Sequence, residues 1–329
     1  MSKGSSLPYK LRPNKAVDRE LFLGMLARLA ASLKLENYRY VGLGGPFLED
    51  FRLIHARLAI KDMVCIEMEK EVHQRQKFNS PTNCINFVHS TLESYLDSTD
   101  FETPAIIWFD YTEPGTITDQ IERFATTIGQ IPIGSILRIT LNANPTSLGT
   151  PKPEETGAMI GSLTDAALKP TVPQWRLERF RERLGALFPI DLTDAGLTFK
   201  TYGKTVLRVL YLAVQREILS LKDRKVVWCL ATHYADGQPM VTATLLICSA
   251  EDTLTETLIK EWEYYSEPSS PLLLDMPALS TLERLSMESS EDPKVRLGFA
   301  LPKTEMGEDP FLSFKKFYRV FPHFSRVEL

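Results

Sequence analysis

Tyr38-Arg39-Tyr40-Val41-Gly42-Leu43-Gly44-Gly45-Pro46 decides the fold, because an apolar strand pattern here runs straight into a glycine turn. A helical pattern follows at once, from Leu48 to Leu58. Glycines at a strand-to-helix turn let backbone N–H groups approach a ligand with no Cβ in the way, and the helix start adds partial positive charge. Many turns use glycine for sterics alone, and that plainer reading stands beside the ligand reading.

Working outward, the same unit recurs. Asp62 to Glu67 reads as a strand and Glu69 to Phe78 as a helix. Cys84 to Val88 is a strand before the short helix Thr91 to Leu96. Ala105 to Asp110 precedes a helix over Thr118 to Ile131, and Ser135 to Leu141 is a fifth strand. Each helix must carry the chain back across the sheet, so the strands pair in parallel. Covered on both faces, they read as apolar runs rather than clean alternations.

Upstream, Leu21, Phe22, Met25, Leu26, Leu29 and Leu33 recur at helical spacing within Asp18 to Leu35, with Asp18 near the helix start. Downstream, residues 142–173 are rich in Pro, Gly and Thr, as in a lid or binding loop. Pro173 to Leu187 and Thr205 to Leu221 are helical. Lys225 to Tyr234 and Met240 to Cys248 flank Asp236-Gly237, a hairpin signal. After Ser249 the pattern is helical and irregular. The expected architecture is α/β: a doubly wound, mostly parallel sheet (Rossmann-like) closed by a C-terminal antiparallel hairpin. Residues 1–35 form an arm and helix, 36–249 the α/β domain with an insertion or lid at 143–202, and 250–329 a helical appendage.

Composition excludes several classes. The formal charge of −4 gives no general attraction for nucleic acid. No apolar run reaches the roughly 20 residues of a membrane span, so no membrane partner is expected. The polar start lacks a signal peptide's apolar core, which makes the cytoplasm the expected compartment. Cys65, Cys84, Cys229 and Cys248 sit in apolar runs without a Cys-x-x-Cys pair, as buried free thiols do. His55, His73, His89, His233 and His323 show no metal-ligand spacing.

Chemistry concentrates at the predicted strand ends. Glu67 closes the second strand, where open α/β sheets place an acid that accepts from ribose hydroxyls; a solvated strand end or a helix cap is its alternative. Asp110 closes the fourth strand, placed either to accept a proton from a substrate hydroxyl or amine or to cap the next helix. Arg138, Thr140, Asn142 and Asn144 alternate along the fifth strand and its exit as candidate substrate contacts or turn residues. Arg12 to Lys15 reads as a surface arm, with closure over a phosphate or cofactor as the alternative. Arg176, Arg179, Arg181 and Arg183 are interspersed with Glu178 and Glu182, as on a solvated, salt-bridged face. Phe311, Phe314, Phe317, Tyr318, Phe321 and Phe324 repeat about every third residue, favouring core packing over base stacking.

On the Gly42 turn, Glu67, the polar strand ends and the hairpin, residues 36 to 249 resemble the class I S-adenosylmethionine-dependent methyltransferases. The resemblance implies S-adenosylmethionine as cofactor. Gly42-Leu43-Gly44-Gly45 would wrap its methionine part, Glu67 its ribose, and His89-Ser90 its adenine. Asp110-Tyr111-Thr112-Glu113-Pro114 would border the transferred methyl, with Asp110, Tyr111 and Glu113 as candidate catalytic residues and Asp110 also contacting cofactor. The implied reaction is methyl transfer to an oxygen or nitrogen of a small molecule, protein or nucleic acid. Tyr40 and Ser90 stand where the family has acids. That motivates a second reading, a regulatory or interaction protein on the same sheet, with a protein partner engaged through the C-terminal region. A nucleic-acid methylase is a third. A nicotinamide-binding turn is disfavoured, because its third glycine position is occupied by Phe47.

Overall fold

The computed structural model describes residues 12–151 and 170–321. Five strands, β1 (Arg39–Gly42), β2 (Asp62–Glu67), β3 (Ile85–His89), β4 (Ala105–Asp110) and β5 (Ile136–Asn142), pair in parallel. Helices α2 (Glu49–Leu58), α3 (Lys70–Phe78), α4 (Leu92–Asp97) and α5 (Ile117–Gln130) connect them. A hairpin of β6 (Arg224–Ala235) and β7 (Pro239–Ser249) lays β7 antiparallel against β5. The order is β3-β2-β1-β4-β5-β7-β6-β8, where β8 (Leu272–Leu274) pairs in parallel with β6. The α/β sheet and closing hairpin are as the sequence predicts; β8 is an addition, three residues being too short to carry a period.

The chain leaves β1 to one side for β2 and later returns on the other side for β4. Val41 is thus paired with both Val64 and Ile107. Such a reversal opens a crevice at the carboxyl ends of the strands. Along β4 the pleat sends Ile107 and Phe109 to one face, with residues of α4, α5, α6 (Val172–Leu184) and α7 (Tyr202–Ile218). Ile106 and Trp108 go to the other, with α1 (Pro13–Leu29) and residues of α2, α8 (Leu254–Lys260), α9 (Thr281–Glu288) and α11 (Pro310–Phe317). A further helix, α10 (Pro293–Leu297), contacts α9. Phe314 and Phe317 are buried in this second core, as their spacing predicts.

Helix α1 begins five residues before the expected Asp18, and the difference has a physical origin. Pro13 opens the first turn with a preset φ, and the Arg12 side chain supplies no cap. The cap comes from the β6–β7 turn: Asp236 accepts from the backbone N–H groups of Asn14 (3.3 Å) and Lys15 (2.8 Å). Asn14 then donates to the Ala235 carbonyl at 2.6 Å and accepts from the Met276 N–H at 2.7 Å. Such a cap, from more than 200 residues away, is invisible to local pattern. Leu21, Phe22, Met25, Leu26 and Leu29 are fully buried against the sheet. Each contributes roughly 1.5–3 kcal/mol relative to exposure.

Asp18 lies inside α1, buried, and pairs with Arg138 of β5 at 2.5 Å. Arg138 also donates to Thr244 at 2.9 Å and lies over the Phe22 and Trp108 rings. Thr140 accepts from the Trp108 indole N–H at 2.9 Å. The expectation that Arg138 and Thr140 meet substrate is therefore corrected: both lie beneath α1. Asn142 and Asn144 make the exit turn, the Asn142 side-chain Oδ1 accepting from the Asn144 backbone N–H at 2.9 Å.

Candidate functional site

β1 ends at Gly42, and the chain turns through Gly44 (φ 58°) and Gly45 (φ 53°) into α2. A Cβ on Gly44 would come within 2.7 Å of the Phe51 ring and 2.9 Å of Leu48. One on Gly42 would meet the Tyr40 hydroxyl at 2.9 Å. The protein's own packing therefore requires both glycines. The turn is pinned from α3: Gln76 donates to the Leu43 carbonyl at 3.1 Å and Asn79 to the Pro46 carbonyl at 2.8 Å. Tyr40, where an acid was expected by resemblance, is fully buried edge-on against Phe51.

Glu67 leaves β2 two residues after Cys65, which is in register with Gly42, so turn and carboxylate share one rim. One Glu67 carboxylate oxygen accepts from the Glu69 N–H at 2.8 Å. Half-burial raises its pKa, opposed by hydrogen bonds from the backbone of Glu69 and Met68. Glu67 and His89 are register partners on β2 and β3, and the Ser90 N–H donates to the Glu67 carbonyl at 3.2 Å. His89 Nε2 donates to the Met68 carbonyl at 2.9 Å, which leaves Nδ1 as the acceptor. Gly42, Leu43, Gly44, Gly45, Glu67, His89 and Ser90 thus gather along one edge.

Asp110 closes β4 next door, beyond the β1–β4 reversal. Its Oδ1 is buried, with no hydrogen-bond partner among the described residues. A buried acceptor left unmade costs about 1–3 kcal/mol, so a donor arriving from a ligand would be favoured there. Tyr111 turns away: its hydroxyl donates to Glu93 at 2.7 Å, and it packs on the α5 side of the sheet. Burial, then the Glu93 contact, pushes its phenol pKa far up. Glu113 is exposed and accepts from the Gly115 N–H at 3.0 Å. Of the three candidate catalytic side chains, Asp110 alone shares the face that carries Tyr40 and α1.

By pattern, Arg12 to Lys15 reads as a surface arm, with closure over a phosphate or cofactor as the alternative. In the structure Lys15 stands half-buried in the first turn of α1, and its amine feels the charges of Asp110, Arg19, Asp50 and Arg12. Burial lowers its pKa, and Asp110 opposes that. Arg19, which the pattern does not single out, is buried and forms a two-point ion pair with Asp50 at the start of α2. The one sequence signal was charge inside an otherwise apolar helix.

Beyond β4 and β5, Arg183 donates to the carbonyls of Pro114 (3.1 Å) and Ser147 (3.2 Å), tying the two exit loops together. A hollow of about 510 Å³ opens there, lined by Ser147, Leu148, Gly149, Arg179, Glu182 and Arg183. Its helix carries the ion pairs Arg179–Glu182 and Arg181–Glu178, the solvated face that the alternating charges predict. Among the described residues no cluster of three metal-ligating side chains occurs, and no helix is long and apolar enough to cross a membrane.

Sheet order, the antiparallel β7 and the crevice beside β1 define the class I methyltransferase fold, that of S-adenosylmethionine-dependent enzymes. The family model described as "Putative O-methyltransferase" matches residues 7–329, and the chain belongs to that family, whose cofactor is S-adenosylmethionine. No curated protein matches the sequence significantly. Among solved structures it is similar to Trm1 from Pyrococcus horikoshii with S-adenosyl-L-methionine, at 11% identity and a TM-score of 0.46. That match covers 72% of this chain and 56% of Trm1, so the chain spans little more than half the length of that protein. The plantazolicin methyltransferase BamL, in complex with a triazolic desmethylPZN analog and SAH, is similar at 13% identity and a TM-score of 0.36, over 72% of this chain and 85% of BamL.

Proposed function

We propose that the protein transfers the methyl group of S-adenosylmethionine to an oxygen atom of its substrate. The observation that carries this reading is the buried Oδ1 of Asp110, unpartnered among the described residues, at the rim shared with the Gly42–Gly45 turn and Glu67. The donor set suits the cofactor: Glu67 has acceptor capacity for ribose hydroxyls, His89 and Ser90 offer an edge to adenine, and Asp110 accepts from an ammonium or hydroxyl. When bound, the cofactor supplies a methyl on a sulfonium, an electrophile that needs no further activation.

The chain's part is then positioning. The glycine turn brings backbone close, and Glu67 and Asp110 fix the two ends of the cofactor. The hollow between the β5 exit loop and α6 would take the acceptor. Holding nucleophile and methyl in line converts an encounter into a unimolecular step. The choice of oxygen follows the family's description. Calorimetric titration with S-adenosylhomocysteine tests the reading: saturable binding is expected, weakened by Asp110→Asn. A wild-type protein that binds neither S-adenosylhomocysteine nor S-adenosylmethionine overturns it.

A further inference from the structure

An amino acid held as a zwitterion needs two opposite charges a few ångströms apart in a site that excludes water. Asp110 provides the acceptor, with an oxygen lacking a donor among the described residues. The complementary side chain, Lys15, comes from the first turn of α1. Lys15 is fixed by its own N–H on Asp236 at 2.8 Å, while the adjacent Asn14 is tied to Ala235 at 2.6 Å and Met276 at 2.7 Å. One turn on, Asp18 locks the same helix to Arg138. The first turn of α1 therefore has little freedom. Lys15 shares a helix face with Arg19, one turn on, whose guanidinium pairs with Asp50 at the α2 start and lies over the Trp108 ring, two residues before Asp110 on the same face of β4. The nearby guanidinium of Arg19 is engaged by Asp50.

We propose that Lys15 binds the carboxylate of the cofactor's methionine part, opposite Asp110, which takes its ammonium. This rests on the cofactor reading above. Lys15 is thus a binding residue of the methyl-transfer site, contributed by a helix that precedes the glycine turn in sequence. Burial lowers the pKa of the amine in the free protein, and an incoming carboxylate favours its charged form.

The test compares two probes on the same protein. S-adenosylhomocysteine carries the amino-acid part, and methylthioadenosine lacks it. Lys15→Met is expected to weaken S-adenosylhomocysteine about tenfold to a hundredfold while leaving methylthioadenosine within about twofold. Equal losses for both probes, or no loss for either, overturn the proposal. Decarboxylated S-adenosylhomocysteine on the wild-type protein gives a second measurement that needs no variant: a comparable loss is expected, and undiminished affinity overturns the proposal. If the wild-type protein binds none of these probes, the cofactor reading itself fails; if it binds them and only the Lys15 comparison is flat, this inference alone fails.

Discussion

Asp18 and Arg138, separated by 120 residues, form an ion pair at 2.5 Å with almost no solvent exposure on either side chain. It ties α1 to the centre of the sheet, and both partners are otherwise engaged. Asp18 accepts from Thr232 at 2.7 Å and Thr242 at 3.1 Å, while Arg138 donates to Thr244 at 2.9 Å. Because the two charges were removed from water together, their net contribution to stability is small, but losing one strands the other. Asp18→Ala should therefore cost about 3–5 kcal/mol in urea unfolding. The double variant Asp18→Leu with Arg138→Met should recover much of that loss. Additive losses in the double variant would show that the two sites are not coupled.

Gly44→Ala separates packing from ligand approach. The added methyl meets Phe51 and Leu48 at under 3 Å on a backbone with φ of 58°. Overpacking costs about 1–3 kcal/mol, and the left-handed conformation adds roughly 1 kcal/mol. The variant should melt at lower temperature with no ligand present. An unchanged melting temperature would return Gly44 to a purely ligand-facing role.

These two sites mark where sequence reasoning reaches its limit. Strand and helix periods are local, so β1 to β5 and the Asp236-Gly237 hairpin could be read directly, as could Glu67 and Asp110 as strand-end carboxylates. The meaning of polar residues within those elements was not local. Arg138 at the end of an alternation reads like a substrate contact, and only the fold shows Asp18 arriving from α1 to bury it. Asp236 reads as a turn residue, yet it also caps a helix at the other end of the chain. Lys15 reads first as an arm residue for the same reason: what favours the cofactor alternative is Asp110, brought near it by tertiary packing. For Gly42 and Gly44 the plainer reading was already available, and their contacts with Tyr40 and Phe51 supply it.

Glu67→Ala should weaken S-adenosylhomocysteine roughly tenfold, the loss expected for hydrogen bonds to a charged acceptor. The carboxylate also accepts from the Glu69 N–H, so a change in melting temperature without ligand should accompany the affinity loss. Glu67→Gln keeps an acceptor oxygen and should recover part of both. Unchanged affinity in Glu67→Ala would remove this side chain from the cofactor site.

The pH dependence of stability should carry two opposed contributions near the hairpin. His233 is buried against Gly203, and burial, then Lys204, lowers its pKa from 6.5 to about 4. The unfolded chain therefore takes up this proton first, and stability is lost as the pH falls from 6.5 towards 4. Asp236 behaves oppositely: burial raises its pKa from 3.8 to about 6, opposed by hydrogen bonds from Lys15 and Asn14. Here the folded state takes up the proton first, so stability is gained as the pH falls from about 6 towards 3.8. Across the shared window the two nearly cancel, and the wild-type protein should show a shallow slope from this pair. Asp236→Asn removes the compensating half. Relative to wild type it should lose up to about 3 kcal/mol on acidification through that window, since each pKa unit corresponds to about 1.4 kcal/mol. Urea unfolding of both proteins in parallel at several pH values measures the difference. A difference that stays constant with pH would mean that the Asp236 carboxyl titrates alike in the folded and unfolded chain.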